Sequence, residues 1–352
     1  MDKNISKILL SIVCAGLLYV VAVIWLVPQQ AITLALISLL VMLWSNSALP
    51  LGVVSLLPIL LFPMFDLLST NDVTSNYSES IIFLFIGGFL LAIAVEKTAL
   101  HKVIANKILA FFPNTITGMI YALALTAGSL SAFLSNTTSC LLLIPLALFL
   151  TEDEGLKKRF ALAICYGTSI GGIITPIGTP PNLILFGLLE QLNLKSIPFV
   201  QWVLLVLPLA FILFLFLGWV LSWGTKNKQM VIRQTEPQGK LSTEQKKVTV
   251  VLLALIVLLF INSPIQPYYA GLGLNEKGIL LSAGLILFLP PLNILNWPDS
   301  KKIPFEILFL FGAGFSIAHV FTSSGLAQQL ALFLQTFSQL PTLLLIVLIA
   351  SL

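Results

Sequence analysis

Two short polar clusters interrupt apolar stretches of the sequence, and they carry the residue types best suited to chemistry. Residues 129–139 read Ser-Leu-Ser-Ala-Phe-Leu-Ser-Asn-Thr-Thr-Ser, and residues 167–182 read Gly-Thr-Ser-Ile-Gly-Gly-Ile-Ile-Thr-Pro-Ile-Gly-Thr-Pro-Pro-Asn. Hydroxyl, amide and carbonyl oxygens can bind a cation, whereas the N–H groups of a helix N-terminus favour an anion. Neither cluster contains lysine or arginine. We therefore expect helix dipoles and a cation such as Na⁺ to hold an anion there.

The second cluster is also rich in residues that break helices. Prolines remove backbone donors, and glycines permit close approach and unusual dihedral angles. We predict two half-helices within a broken helix at about 160–189, with freed carbonyls available to a cation. The unwound loop between them comprises Thr175, Pro176, Thr179, Pro180, Pro181 and Asn182. An isolated serine or proline would only cap or kink a helix, but the density of both clusters favours a binding site.

The composition indicates which elements hold these clusters. Of 352 residues, 58% are hydrophobic and 9% are charged, whereas a soluble domain carries about 25% charged residues. This composition excludes a soluble globule, a secreted disulfide scaffold and a disordered chain. The net charge of +4 is scattered between apolar runs, so we expect no nucleic-acid partner. We predict an all-α, multi-pass protein of the cell membrane (inner or plasma membrane), with its three cysteines as buried thiols.

Apolar runs long enough to be helices in a bilayer recur along the whole chain. The candidate segments are 7–27, 30–46, 48–66, 79–97, 116–150, 160–189, 200–223, 248–263, 278–297, 305–325 and 339–352. Lysines 3 and 7 precede the first segment and place the N-terminus in the cytoplasm. The polar stretch 224–247 is predicted to be a cytoplasmic linker.

The segment 116–150 has basic residues on both flanks. At 35 residues it is too long for one spanning helix and short for two, so we predict a re-entrant hairpin that enters and leaves on the cytoplasmic side. This topology places sixteen of the eighteen basic residues inside, with only Lys195 and Lys277 outside. The short basic segment 101–112 is predicted to be a helix on the cytoplasmic surface.

A weak internal repeat relates the two halves of the chain. Residues 83–100 and 309–326, separated by 226 positions, share the pattern Phe-Leu-Phe-x-x-Gly-Phe. The basic flanks make the two copies run in opposite directions through the membrane, as in inverted-repeat transporters. We therefore predict a first repeat at 1–223, the linker at 224–247 and an incomplete second repeat at 248–352.

The two polar clusters resemble signatures of the divalent anion/sodium symporter family of di- and tricarboxylate and sulfate transporters. Ser135-Asn136-Thr137 resembles its hairpin motif, and Gly178-Thr179-Pro180-Pro181-Asn182 its unwound loop. The resemblance implies an elevator-type transporter with scaffold and transport domains, usually a homodimer, and no organic cofactor. It implies a sodium site formed by Ser131, Ser135, Asn136 and the Gly178 carbonyl. It also implies that Ser135, Asn136 and Thr137 face a small anionic substrate.

Several interpretations remain open from the sequence. The repeat offset places a second Ser-Asn-Thr near position 361, so the chain is interpreted as truncated at its C-terminus, and an inactive remnant is one alternative. A related Na⁺/H⁺ or oxyanion exporter is another, although no acidic residue lies convincingly mid-span. An enzyme is disfavoured, because no nucleophile–base pair or metal motif is apparent. Symport and anion exchange would both use the same hairpin motif.

Overall fold

The computed structural model describes residues 3–191, 194, 197–225, 241–264, 268–335 and 344, which are predominantly α-helical. The helices are α1 (Lys3–Ala22), α2 (Pro28–Asn46), α3 (Leu51–Met64), α4 (Thr70–Asn76), α5 (Ser80–Lys97), α6 (Leu100–Phe111), α7 (Ile116–Ser131), α8 (Asn136–Phe149), α9 (Glu154–Ile174), α10 (Pro180–Gln191), α11 (Phe199–Ser222), α12 (Thr243–Asn262), α13 (Glu276–Leu285), α14 (Phe305–Ser323) and α15 (Leu326–Gln335). Two 3₁₀ helices follow α13, at Ile286–Phe288 and Trp297–Lys302.

Length and composition would allow some of these helices to cross a membrane. Within the described ranges, the five long, apolar helical stretches are Asn4–Ala22, Pro28–Asn46, Thr70–Lys97, Phe199–Ser222 and Phe305–Ser323. The two helices of the predicted hairpin are shorter, with 16 residues in α7 and 14 in α8. At 1.5 Å per residue they extend about 24 and 21 Å, less than the roughly 30 Å of a bilayer core.

One predicted segment is wrong in its extent. The apolar run 278–297 is predicted to be a continuous helix, but α13 ends at Leu285 and the 3₁₀ helix that follows it directly ends at Phe288. Pro290 and Pro291 lack N–H donors and disfavour helical backbone in the preceding residue.

Part of the predicted linker 224–247 is helical, because a capping box between Ser242 and Gln245 begins α12 at Thr243. Residues 226–240, and nearly all of the predicted segment 339–352, lie outside the described residues.

The chain forms two compact units, which divide it differently from the predicted repeats. The first unit comprises residues 1–79 and 305–352, and the second comprises residues 80–304. Within the first unit, a buried core includes Leu40, Val54, Phe62 and Val320. The second unit contains both polar clusters, and therefore holds every predicted site residue.

Helices recur at the repeat offset of 226 positions. Shifted by that offset, α5 would occupy residues 306–323, and α14 lies at Phe305–Ser323. With the same shift, the range of α3 matches α13 and the 3₁₀ helix Ile286–Phe288. The range of α4 then matches the 3₁₀ helix Trp297–Lys302, and that of α6 matches α15. Helix bounds thus recur in order along four consecutive elements.

The corresponding helices also exchange packing partners. In the second unit α5 packs against α13, where a methyl group on Gly87 would meet the backbone of Leu280 and Leu281. In the first unit α14 packs against α3, and a methyl group on Gly312 would overlap the ring of Tyr77. Each α5-like helix thus pairs with the α3-like helix of the other half of the sequence.

Polar contacts fix the end of α5 in the second unit. Lys97 Nζ lies 2.8 Å from Asp299 Oδ2, and Lys302 Nζ lies 3.0 Å from Glu96 Oε1. Asp299 also accepts a hydrogen bond of 2.7 Å from the backbone N–H of Asn296 and so begins the 3₁₀ helix. That backbone hydrogen bond and the contact with Lys97 lower the pKa of the Asp299 carboxyl below its usual value.

Candidate functional site

The tip of the hairpin is a four-residue turn between α7, which ends at Ser131, and α8, which begins at Asn136. Ser135 caps α8, because its Oγ accepts a hydrogen bond of 3.2 Å from the backbone N–H of Thr138. The same hydroxyl donates to Thr138 Oγ1 at 2.8 Å. Ser135 therefore retains one lone pair for a further ligand.

Ser131 and Asn136 are joined across this turn. The Ser131 hydroxyl donates a hydrogen bond of 2.6 Å to Asn136 Oδ1. The Ser131 side chain is fully buried, Asn136 is half-buried and Thr137 is exposed. From Ser131 to Thr137 the side chains thus pass from the protein interior to an accessible surface.

The second cluster contains the expected break. Helix α9 ends at Ile174, residues 175–179 are non-helical, and α10 begins at Pro180. The Thr175 hydroxyl donates to the carbonyl of Ala132 and so ties this loop to the hairpin tip. Thr175, Pro176, Thr179 and Asn182 are buried, Pro180 is half-buried and Pro181 is exposed.

Asn182 organises the loop through contacts that its position in the sequence does not reveal. Its side-chain amide donates to the carbonyls of Thr175 at 2.9 Å and Gly172 at 3.2 Å. The indole N–H of Trp202 donates to the carbonyl of Ile173 at 3.0 Å. Three carbonyls freed by the break therefore already have partners, which narrows the choice of ligands for a cation. Nothing in the local sequence pairs Trp202 with Ile173, because the contact spans two helices.

Gly172 and Gly178 bring backbone and side-chain oxygens together. A methyl group on Gly172 would lie 2.5 Å from Asn136 Oδ1 and 3.3 Å from the Gly178 carbonyl oxygen. A methyl group on Gly178 would lie 2.9 Å from the Ser131 carbonyl oxygen and would also overlap the Gly172 carbonyl. Oxygen atoms from the tip and the loop therefore converge on the space that glycine leaves open.

This donor set fits a hard cation. Asn136 Oδ1, the Gly178 carbonyl and the Ser131 carbonyl are uncharged oxygens, and hard cations take oxygen ligands. Three of the four residues in the predicted sodium set, Ser131, Asn136 and Gly178, therefore line one small cradle. Ser135 lies at the adjacent turn, with its hydroxyl directed to Thr138.

Small residues allow α7 and α9, which carry parts of the two clusters, to pack closely. A methyl group on Gly171 would overlap the backbone of Gly128, and one on Gly167 would lie 2.5 Å from the carbonyl oxygen of Ala124. These residues are four apart on each helix, so α7 and α9 meet along a stripe of small side chains, as helices in membranes commonly do. The packing of α7 on α9 thus sets the width of the cradle.

The two helix N-termini near the clusters are not equivalent, which corrects an expectation from the sequence. Both were expected to offer N–H groups to an anion. Helix α8 begins with Asn136 and Thr137, whose N–H groups have no acceptor within the helix. Helix α10 begins with Pro180 and Pro181, which have no N–H. Of the two helix starts, α8 therefore offers N–H groups at its first two residues, where α10 offers none.

Comparisons with known proteins identify a family and relatives of this chain. Residues 39–352 match the family described as citrate transporter. The sodium-dependent dicarboxylate transporter SdcS of Staphylococcus aureus strain NCTC 8325 is 28% identical over 375 residues, covering 96% of this chain and 72% of the relative. The same protein from strain COL matches with the same identity and coverage.

These matches bear directly on the predictions from the sequence. The predicted resemblance to divalent anion/sodium symporters is confirmed, as is the all-α, multi-pass transporter fold, and the protein is a transporter rather than an enzyme. The family match covers most of the chain, and the hairpin tip and the broken helix lie within it. The chain belongs to the citrate transporter family of membrane anion transporters.

Proposed function

We propose that this protein carries small di- or tricarboxylates across the cell membrane together with Na⁺. The observation that carries the proposal is the convergence of Asn136 Oδ1 and the Gly178 carbonyl beside Gly172, with the Ser131 carbonyl beside Gly178. An uncharged oxygen cradle suits Na⁺, and the related SdcS is named as a sodium-dependent dicarboxylate transporter. Sulfate is a further candidate substrate because it is also a small dianion.

In this proposal the ion and the substrate share the hairpin tip. Ser131, Ser135, Asn136 and the Gly178 carbonyl bind Na⁺, and Ser135, Asn136 and Thr137 contact a substrate carboxylate. The free N–H groups at the start of α8 favour negative charge. Because neither cluster supplies a basic side chain, the positive charge of the ion takes that role. Ion and substrate then each raise the affinity for the other, since binding free energies couple reciprocally.

The wider architecture in this proposal is an inverted repeat. Residues 1–223 and 248–352 belong to opposite repeats, the N-terminus is cytoplasmic, and the hairpin moves as part of an elevator-type transport domain in a homodimer. The recurrence of α3 to α6 at an offset of 226 supports the repeat. The shortness of α7 and α8 supports a re-entrant hairpin rather than two full spans.

The experiment is uptake into proteoliposomes that contain the purified protein. Labelled succinate, malate, citrate and sulfate are supplied outside, with an inward gradient of Na⁺ or of choline. We expect uptake of at least one carboxylate that requires the Na⁺ gradient. Uptake that is independent of Na⁺ but requires a carboxylate inside the vesicles would indicate exchange rather than symport. If none of the four anions were taken up, the proposed substrate class would be wrong.

Asn136 tests the assignment of the site. Asn136→Ala removes the Oδ1 oxygen that faces Gly172 and Ser131, so we expect uptake to fall at least tenfold. Asn114→Ala is the matched control, because Asn114 is exposed in the turn before α7. Uptake by Asn136→Ala at the rate of the Asn114→Ala protein would refute the site.

A further inference from the structure

Two cysteines lie against each other beside the proposed site. Cys140 Sγ on α8 and Cys165 Sγ on α9 are 3.2 Å apart, although 25 positions separate them in the sequence. Both side chains are half-buried and both are free thiols. The third cysteine, Cys14, lies on α1 in the other compact unit.

The geometry favours covalent joining of this pair. A disulfide requires the two sulfurs to approach to about 2.05 Å, so the 3.2 Å between them leaves a closure of about 1 Å. The helices already pack against one another, which holds the two thiols at high local concentration. Both thiols are partly accessible, so a small oxidant can reach at least one of them.

We propose that Cys140 and Cys165 form a reversible thiol–disulfide pair, a redox modification site that takes small organic disulfides as its oxidant. One cysteine thiolate attacks the reagent disulfide, whose sulfur–sulfur bond breaks and releases the first small thiol. The second cysteine thiolate then attacks the mixed disulfide and releases the second small thiol. The two cysteines lose two electrons and two protons, and the reagent gains both.

The location gives the link a mechanical consequence. Cys140 lies about one helical turn beyond Asn136, and Cys165 lies about two turns before Gly172. The oxidised pair therefore pins α8 to α9 next to the cradle between Asn136 and Gly172. Reduction by a dithiol releases this restraint. The proposal does not depend on which substrate is carried.

The test uses the Cys14→Ser protein, in which Cys140 and Cys165 are the remaining thiols. It is treated with the membrane-permeant reagent 4,4′-dithiodipyridine, which releases coloured thiopyridone. We expect two thiopyridones per chain, no pyridyl adduct, and one linked peptide that contains both cysteines. Dithiothreitol should restore both thiols.

Two further variants make the result decisive. In Cys14→Ser/Cys140→Ser and Cys14→Ser/Cys165→Ser, we expect one thiopyridone and one retained pyridyl adduct, because no partner thiol can displace it. Retention of an adduct on both cysteines of the Cys14→Ser protein would overturn the pair, as would two unreacted thiols. These readouts are independent of transport, so they stand even if the proposed function fails.

Discussion

Gly172 faces Asn136 so closely that a single methyl group on the glycine would lie 2.5 Å from the asparagine Oδ1. The two residues come from different helices, α9 and α8, and one of them is the asparagine of the hairpin motif. The absence of a side chain at position 172 is therefore what allows the Asn136 oxygen to lie inside the cradle.

Replacing Gly172 should damage the site more than the fold. In Gly172→Ala the methyl group meets the end of the Asn136 side chain, which must rotate out of its hydrogen bond with Ser131. We therefore expect the free energy of unfolding to fall by about 1 kcal/mol. The displaced oxygen can no longer join the Gly178 carbonyl, and Na⁺-dependent uptake should fall at least tenfold. Gly88→Ala is the control, because a methyl group there meets nothing within 4 Å. Equal uptake by the two variants would contradict the cradle.

Asn182 should act through the shape of the loop. Asn182→Ala leaves the buried carbonyls of Gly172 and Thr175 without their donor, and such losses cost about 1–3 kcal/mol. We expect a lower melting temperature in detergent and reduced uptake, compared with Asn114→Ala on the exposed turn before α7. A melting temperature equal to that of the control would show that the loop does not depend on this amide.

Gly312 and Gly314 provide a comparison on one helix. A methyl group on Gly312 would overlap the ring of Tyr77, whose hydroxyl donates a hydrogen bond of 2.5 Å to the Ser55 carbonyl. Gly312→Ala should therefore destabilise the protein by about 1–3 kcal/mol. A methyl group on Gly314 meets nothing within 4 Å. Gly314→Ala should therefore leave the free energy of unfolding unchanged, or raise it by up to about 1 kcal/mol. Chemical unfolding in detergent measures both, and the reverse order would contradict this packing.

Asp299 should make stability depend on pH at the acidic end. Its backbone hydrogen bond from Asn296 and its contact with Lys97 lower the carboxyl pKa in the folded state. The corresponding stabilisation is therefore complete above the unfolded pKa, about 3.9 for an aspartate, and is lost as the pH falls through the lower folded value. Asp299→Asn should be less stable than the wild type at pH 7, and the difference should shrink below pH 4. A difference independent of pH would exclude the ionised carboxylate as its source.

Much of the site could be predicted because its signals are local. Proline and glycine at 175–181 determine a break by their own backbone chemistry, and Ser135 precedes α8 as a helix cap does. The sequence also shows that Pro180 and Pro181 have no N–H groups. The starts of α8 and α10 therefore differ already at the level of residue type. The residue types, rather than the hydropathy, predict the helix break and the helix cap.

The contacts that could not be predicted are those between distant positions. Trp202 bonds to Ile173, and Gly312 lies against Tyr77, only because helices meet in three dimensions. The early end of α13 was missed for a different reason. Hydropathy alone extends that segment to residue 297, whereas Pro290 and Pro291 interrupt its hydrogen bonding.

The exchange of packing partners between the two halves constrains how the chain is made. Helix α5 leaves the ribosome long before α13, the helix whose backbone closes against Gly87. Until α13 arrives, the glycine face of α5 must be covered by lipid, by a chaperone or by the insertion machinery. The first half of the protein therefore depends on the second half for its folding. It reaches its final packing only when synthesis of the second half is well advanced.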